Sequence, residues 1–325
     1  MKKIIIDTNG LDNGAQVVYD AAVTILKKIS DLEITLIGDT SNINKHTEIQ
    51  NINFIENTTK LSDPRNIRQS LRENTSMNQA IMDLKEGNYD GVISGGDSGS
   101  YMASLTFKSG RIEGISRPVF MPIATGLNRR KTLFMDVGAN LEVKSDNLYE
   151  WAKLGTAFYK TMFNENFPKV TLLNIGTEDY KGFDFIKEAA ELIKNDHSLN
   201  YIGFSEPRNL LKGEYDIALI DGYGGNLILK SYEGAIFTFK DAIKESAFKS
   251  FRTKIGAWLM KPAFKDVMKK LDYRNVGAAW VLGVQDLALK IHGSSDAKAV
   301  YSAIEQMYHA IDKKLAEKLN GWKNV

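Results

Sequence analysis

G-V-I-S-G-G-D-S-G (91–99) is a short apolar run that stops abruptly in glycines. Gly91–Ser94 has the length and β-branched content of a strand buried on both faces. Gly95 and Gly96 then supply a turn and bare backbone N–H groups that suit an anion. The same order of events recurs at T-L-F-M-D-V-G-A-N (132–140), T-L-L-N-I-G-T-E-D-Y-K-G (171–182) and I-A-L-I-D-G-Y-G-G-N (217–226). Ligands of open α/β sheets lie beyond the carboxyl ends of the strands. The four tails are therefore expected to converge on one site that handles a phosphate-like group.

Around these runs, strand-like and helix-like segments alternate, the pattern of βαβ units and a mostly parallel sheet. Lys3–Ile6, Glu33–Ile37 and Pro118–Ile123 read as strands, and Val281–Leu289 as a closing strand or pair. Helices are expected over Ala15–Ile29, Ser98–Phe107, Leu148–Phe163, Lys181–Ile193 and Ser295–Leu319, with a helix start at Asp63-Pro64. Ser41–Ile55 is weakly patterned. The stretch from Ser231 to Leu271 is helical in pattern but interrupted at Gly256 and Pro262. At 325 residues the chain reads as one α/β domain, with two lobes sharing a crevice as the other arrangement.

A net charge of +2 gives no argument for nucleic acid, and 25% charged residues is ordinary for a soluble enzyme. Cysteine is absent, which removes disulfides, thiolate metal sites and a cysteine nucleophile. The apolar start M-K-K-I-I-I meets Asp7 too early for a signal peptide, and no run approaches a membrane span, so a cytoplasmic protein is expected. His46, His197, His292 and His309 have no ligand spacing, so no metal site is expected, and no cofactor is expected either. There is no G-x-S-x-G nucleophile elbow. Its absence points away from serine hydrolase chemistry and toward direct transfer without a covalent enzyme intermediate.

Asp7-Thr8-Asn9-Gly10-Leu11-Asp12 follows the first strand and can offer N–H groups to a phosphate, or form an ordinary turn. It has neither Walker nor G-x-G-x-x-G spacing. Gly95–Gly99 can hold an anion or hydroxyl, while Asp97 suits helix capping better than phosphate contact. Lys181 can bind phosphate or an oxyanion, or be a solvated lysine. Asn226, after Asp221-Gly222, and Asn140 can donate to an oxyanion or cap helices. His292 stands beside a Gly/Ser turn. Lys244–Lys270 sets eight Lys/Arg against two acids, opposite Phe248, Phe251, Ile255, Trp258 and Leu259. Such a segment fits an anionic membrane surface or a dimer contact.

Taken together, D-V-G-A-N (136–140), L-L-N-I-G-T-E-D-Y-K-G (172–182), D-G-Y-G-G-N (221–226), L-D-Y-R (271–274) and H-G-S-S-D-A-K-A (292–299) resemble the PlsX family, with I-x-R-P (115–118) in order between them. That family comprises the phosphate acyltransferases of bacterial phospholipid synthesis. The resemblance implies a Rossmann-like α/β/α sandwich, a homodimer, and acyl transfer from acyl carrier protein to inorganic phosphate. It places catalysis on Lys181 and Asn226. Substrate binding is then expected at Asp7, Gly10, Asp12, Gly96, Asp97, Ser98, Gly99, Gly138, Asn140, Asp221, Gly222 and His292. It also implies a helical hairpin over 240–271 that contacts an anionic membrane, and so a peripherally membrane-associated protein. Two positions depart from the family pattern: Leu11 replaces a glycine of D-x-M-G-G-D, and A-G-N-T-G has become Gly95-Gly96-Asp97-Ser98-Gly99. An acyl-CoA enzyme like phosphotransacetylase or phosphotransbutyrylase, and a non-catalytic membrane scaffold, are the alternatives.

Overall fold

Ile4, Ile5 and Ile6 are all fully buried, which requires helices on both faces of the strand they form. The computed structural model describes residues 1–47, 49–271 and 278–324. In chain order its first half contains β1 (Lys2–Asp7), α1 (Gln16–Leu26), β2 (Leu32–Gly38), β3 (Ile52–Glu56), α2 (Ile67–Ser70), α3 (Ser76–Lys85), β4 (Gly91–Ser94), α4 (Ser98–Ser104) and β5 (Val119–Thr125). There follow β6 (Lys131–Met135), α5 (Ser145–Phe163), β7 (Lys169–Leu173), α6 (Asp184–Asn195), β8 (Asn200–Ser205) and β9 (Ile217–Leu219). The remainder contains α7 (Gly222–Ala247), α8 (Phe251–Leu271), β10 (Ala278–Leu282), β11 (Ala288–Ile291), α9 (Ala297–Asp312) and α10 (Leu315–Asn320).

The strands form one 11-stranded sheet in the order β3-β2-β1-β4-β11-β10-β5-β6-β9-β7-β8. Side-chain alternation divides the core into two layers. Ile4 and Ile6 join α1, α5, α6 and α9 on one face, while Ile5 joins α3 and α4 on the other. Ile228, Leu229 and Tyr232 at the start of α7 also pack on this second face.

The sheet consists of two parallel blocks of opposite direction. β3, β2, β1, β4 and β11 run together, and so do β6, β9, β7 and β8. Between them, β10 is antiparallel to β11 and β5, and β5 is antiparallel to β6. This reversal corrects the expectation of one convergent site. The carboxyl ends of β1, β4 and β11 leave one edge of the sheet, and those of β6, β9 and β7 leave the other.

Several local expectations also change. Asp63-Pro64 begins no helix: α2 starts at Ile67, capped by Asn66, whose side chain accepts the Gln69 N–H at 3.2 Å. The C-terminal helix is two helices. Lys314 takes a left-handed φ of 55°, which redirects the chain so that Leu315 and Leu319 bury as α10 packs on α5. The expected hairpin begins earlier, since α7 runs unbroken for 26 residues, about 39 Å, from the third tail of the second block. α8 continues through Gly256 and Pro262, so the expected interruptions are absent. Phe248, Phe251, Trp258 and Leu259 are exposed on the hairpin. Among the described residues, no helix is long and apolar enough to cross a membrane. Residues 272–274 of the L-D-Y-R motif lie outside the described residues.

Candidate functional site

β9 is flanked by β6 and β7, and the three tails part there: β6 and β7 lead into α5 and α6 on one face, while β9 leads into α7 on the other. A parting of this kind is a topological switch point, where open α/β sheets leave a crevice. Lys181 and Asn226 lie on the tails of the neighbouring strands β7 and β9.

Buried Asp136 organises the β6 tail. Its carboxylate accepts N–H groups from Gly138 at 3.2 Å, Ala139 at 3.1 Å and Asn140 at 2.7 Å, and the Asn140 side chain at 3.0 Å. Burial pushes this carboxyl above its ordinary value, against the pull of those donors. The N–H groups of Gly138 and Asn140, expected to contact an anion, here donate to Asp136. Asn140 is a brace: its Nδ2 also donates to the Pro118 carbonyl at 2.8 Å, and its own carbonyl accepts the Gly222 N–H at 2.8 Å. Asp221 caps α7 by accepting the Gly224 N–H at 2.8 Å.

This bracing delivers Asn226 to the surface. Its exposed carboxamide lies over Gly138, where a Cβ would stand 3.6 Å from its Cβ and Cγ, and it has no hydrogen-bond partner among the described residues. Gly225 permits the approach, since a Cβ there would fall 1.8 Å from the Asp136 carbonyl oxygen. Gly225→Ala is expected to push α7 off the β6 tail, costing about 1–3 kcal/mol of stability. Displacing Asn226 by about 1 Å should lower turnover roughly a hundredfold. Steady-state kinetics beside circular dichroism checks this, and near-normal turnover would refute it.

The β7 tail is held by Asn174, whose Nδ2 donates to the Lys181 carbonyl at 2.9 Å. Lys181 precedes α6 by three residues rather than starting it. Its ammonium lies back over Gly176 and pairs with Glu178 at 2.7 Å, with about a third of the side chain exposed. The structure thus places Lys181 and Asn226 at one edge, on adjacent tails.

The opposite edge holds the other expected residues. Asp7 is fully buried and accepts the hydroxyls of Ser76 and Ser94, both at 2.6 Å. Burial raises its carboxyl, and those hydroxyls oppose the rise. Gly10 sits against Gly96, where a Cβ on Gly10 would meet the Gly96 Cα at 2.3 Å. The Gly96 N–H donates to the Ser94 hydroxyl at 3.0 Å. Asp97 accepts the Ser100 N–H at 2.8 Å and caps α4, which opens with exposed Ser98 and Gly99. The Asp12 N–H donates to the Gly293 carbonyl at 2.8 Å. His292 Nδ1 accepts the Ser294 N–H at 3.2 Å and lies 2.8 Å from the Ser294 hydroxyl. Leu11 is buried against Gly95. Both departures from the family pattern thus have structural duties, in packing and in capping.

One residue escaped the sequence reading. Lys290 stands on β11 at this same edge, partly buried, with its amine pushed down to about 8 by burial while Asp97 and Asp7 hold it up. The only sequence signal was its place two residues before His292.

Comparison with known proteins agrees with this architecture. Residues 2–318 match the family described as fatty acid synthesis protein. A phosphate acyltransferase of Mycoplasmopsis agalactiae is 48% identical over 322 residues, covering 98% of this chain and 96% of the relative. One from Clostridium beijerinckii is 38% identical, covering 94% and 93%. Among solved structures, a phosphotransacetylase from Streptococcus pyogenes has a TM-score of 0.60 at 16% identity, covering 96% of this chain and 94% of that one, a likeness of fold alone. With the match running from the first strand into the last helix, the chain belongs to the fatty acid synthesis protein family, the PlsX family.

Proposed function

We propose that this protein transfers a fatty acyl group from a thioester to inorganic phosphate, giving acyl phosphate for phospholipid synthesis. The observation that carries the reading is the near full-length relationship to phosphate acyltransferases in a chain whose switch-point tails bear Lys181 and Asn226. Phosphate dianion is already nucleophilic near neutral pH, so the site mainly has to position it. A phosphate oxygen attacks the thioester carbonyl and forms a tetrahedral oxyanion. The C–S bond then breaks, and the departing thiolate takes a proton to leave as free thiol. The Asn226 carboxamide donates to the developing oxyanion, and Lys181 leaves Glu178 to neutralise phosphate or that oxyanion.

The thiol carrier in this reading is acyl carrier protein. The protein acts as a homodimer, and the exposed aromatic residues and Lys/Arg of the α7–α8 hairpin meet an anionic membrane. The test incubates purified protein with phosphate and either acyl carrier protein thioester or acyl-CoA, following acyl phosphate and thiol release. Turnover with the carrier-protein thioester is expected. Turnover with acyl-CoA alone would reassign the carrier, and no turnover with either would refute the reading.

A further inference from the structure

The carboxyl edge of the first block has its own switch point: β1 leads to α1 on one face and adjacent β4 leads to α4 on the other. The sheet register aligns Asp7 with Ser94 and Ser94 with Lys290, a row across this edge. Leu289 and Ile291 enter one core layer and Ala288 the other, so alternation directs Lys290 to the face of Asp7 and α4. Beside this row the loops after β1 and β4 pack backbone to backbone, since Gly10 and Gly96 approach too closely for a Cβ on Gly10.

Lys290 donates to the carbonyl of Ile291, and no other hydrogen-bond or ion-pair partner is found for it among the described residues. The carboxylates nearest in charge are engaged elsewhere, Asp7 by Ser76 and Ser94, and Asp97 by the Ser100 N–H. An ammonium has three donors, so two remain. A partly buried cation without an ion pair is costly to fold around and is characteristic of binding sites. Its depressed amine agrees with that environment.

We propose that Lys290 holds a phosphate group in this crevice, an anion site separate from the edge that bears Lys181 and Asn226. The ligand chemistry is a phosphate oxyanion, supplied either by free inorganic phosphate or by the phosphate of a phosphopantetheine thiol. Anion binding at Lys290 is separate from acyl transfer, and a binding measurement reads it.

The test measures amine labelling of the wild-type protein at pH 8, with modification of Lys290 followed by peptide mass spectrometry and exposed Lys60 as reference. Inorganic phosphate or 4′-phosphopantetheine should slow labelling at Lys290 at least tenfold and leave Lys60 unchanged. Protection by inorganic phosphate assigns the free anion, and protection only by phosphopantetheine assigns the carrier. By calorimetry, Lys290→Gln should weaken binding of the protecting probe about tenfold, while Lys290→Arg retains it. Lys181→Ala should leave the protection intact, which separates this site from the acyl-transfer reading. Unchanged Lys290 labelling with both probes overturns the proposal, as does wild-type affinity in Lys290→Gln.

Discussion

Lys181→Ala is expected to lose about a hundred- to a thousandfold in kcat, because a preorganised group at a developing oxyanion is worth that much. The fold should be unaffected, since Lys181 is in a tail, and its contact with Glu178 is a partly exposed pair of small energetic weight. Asn226→Ala should show a loss of the same order. Asn226 carries little packing, since it is exposed and the brace beneath it consists of Asp136, Asn140 and Gly225. The double variant should fall short of the product of the two losses, because groups acting on one transition state are not additive. Glu178→Gln, which frees the ammonium, should lower the KM for phosphate and leave kcat nearly unchanged. Initial-rate kinetics on all four proteins checks the set, and a Lys181→Ala enzyme with near-normal kcat would remove Lys181 from the chemistry.

The largest expected loss of stability lies away from the site. Asp216 is fully buried at the start of β9, where its carboxylate accepts two donors from Arg130 and the Lys169 N–H at 2.7 Å. One residue thus clasps the beginnings of β6, β7 and β9. Burial alone would raise the Asp216 carboxyl, but Arg130, followed by the Lys169 N–H, outweighs it and holds the group below its ordinary value. Arg130→Ala strands that charge, at an expected cost of about 3 kcal/mol, the low end for a broken buried pair because Arg130 is partly solvated. The folded value lies below the ordinary 3.8, so in wild type this stabilisation is fully present above that pH and lost as pH falls through the folded value. In the variant, burial meets less opposition and the carboxyl rises. The stability gap between the two proteins should therefore be widest at neutral pH and narrow below about pH 4. Denaturant titrations at pH 7 and at low pH measure it, and equal midpoints at pH 7 would show that the clasp contributes nothing.

How far the sequence could be read follows from what each signal encodes. The apolar runs ending in glycine marked β4, β6, β7 and β9, because a strand buried on both faces is written in consecutive residues. Their relative direction is not written there. It depends on the β10–β11 pair entering between β4 and β5, a pairing across nearly two hundred residues of chain. β3 and β8 were missed because they are the sheet's edges and only partly buried, with weak patterning in Ile52–Glu56 and Asn200–Ser205. Lys181 and Asn226 could be singled out because each ends a conspicuous tail. Lys290 could not, since a lysine within a four-residue strand looks like any other lysine until the register sets it beside Ser94. The contacts of Gly138 and Asn140 stay hidden for a related reason: Asp136 directly precedes their tail, and only the fold shows that it accepts their N–H groups.

The position of β10 and β11 also bears on the time course of biosynthesis. These strands occupy the middle of the sheet yet belong to the last fifth of the chain. β5 through β9 span about a hundred contiguous residues and can pair while the ribosome is still working, whereas β4 has no neighbour on its inner side until residue 291 emerges. At roughly 5–20 residues per second, the inner edge of the first block stays open for on the order of ten seconds or more after β4 is made. A chain stopped short of β10 carries two sheets where the finished protein has one.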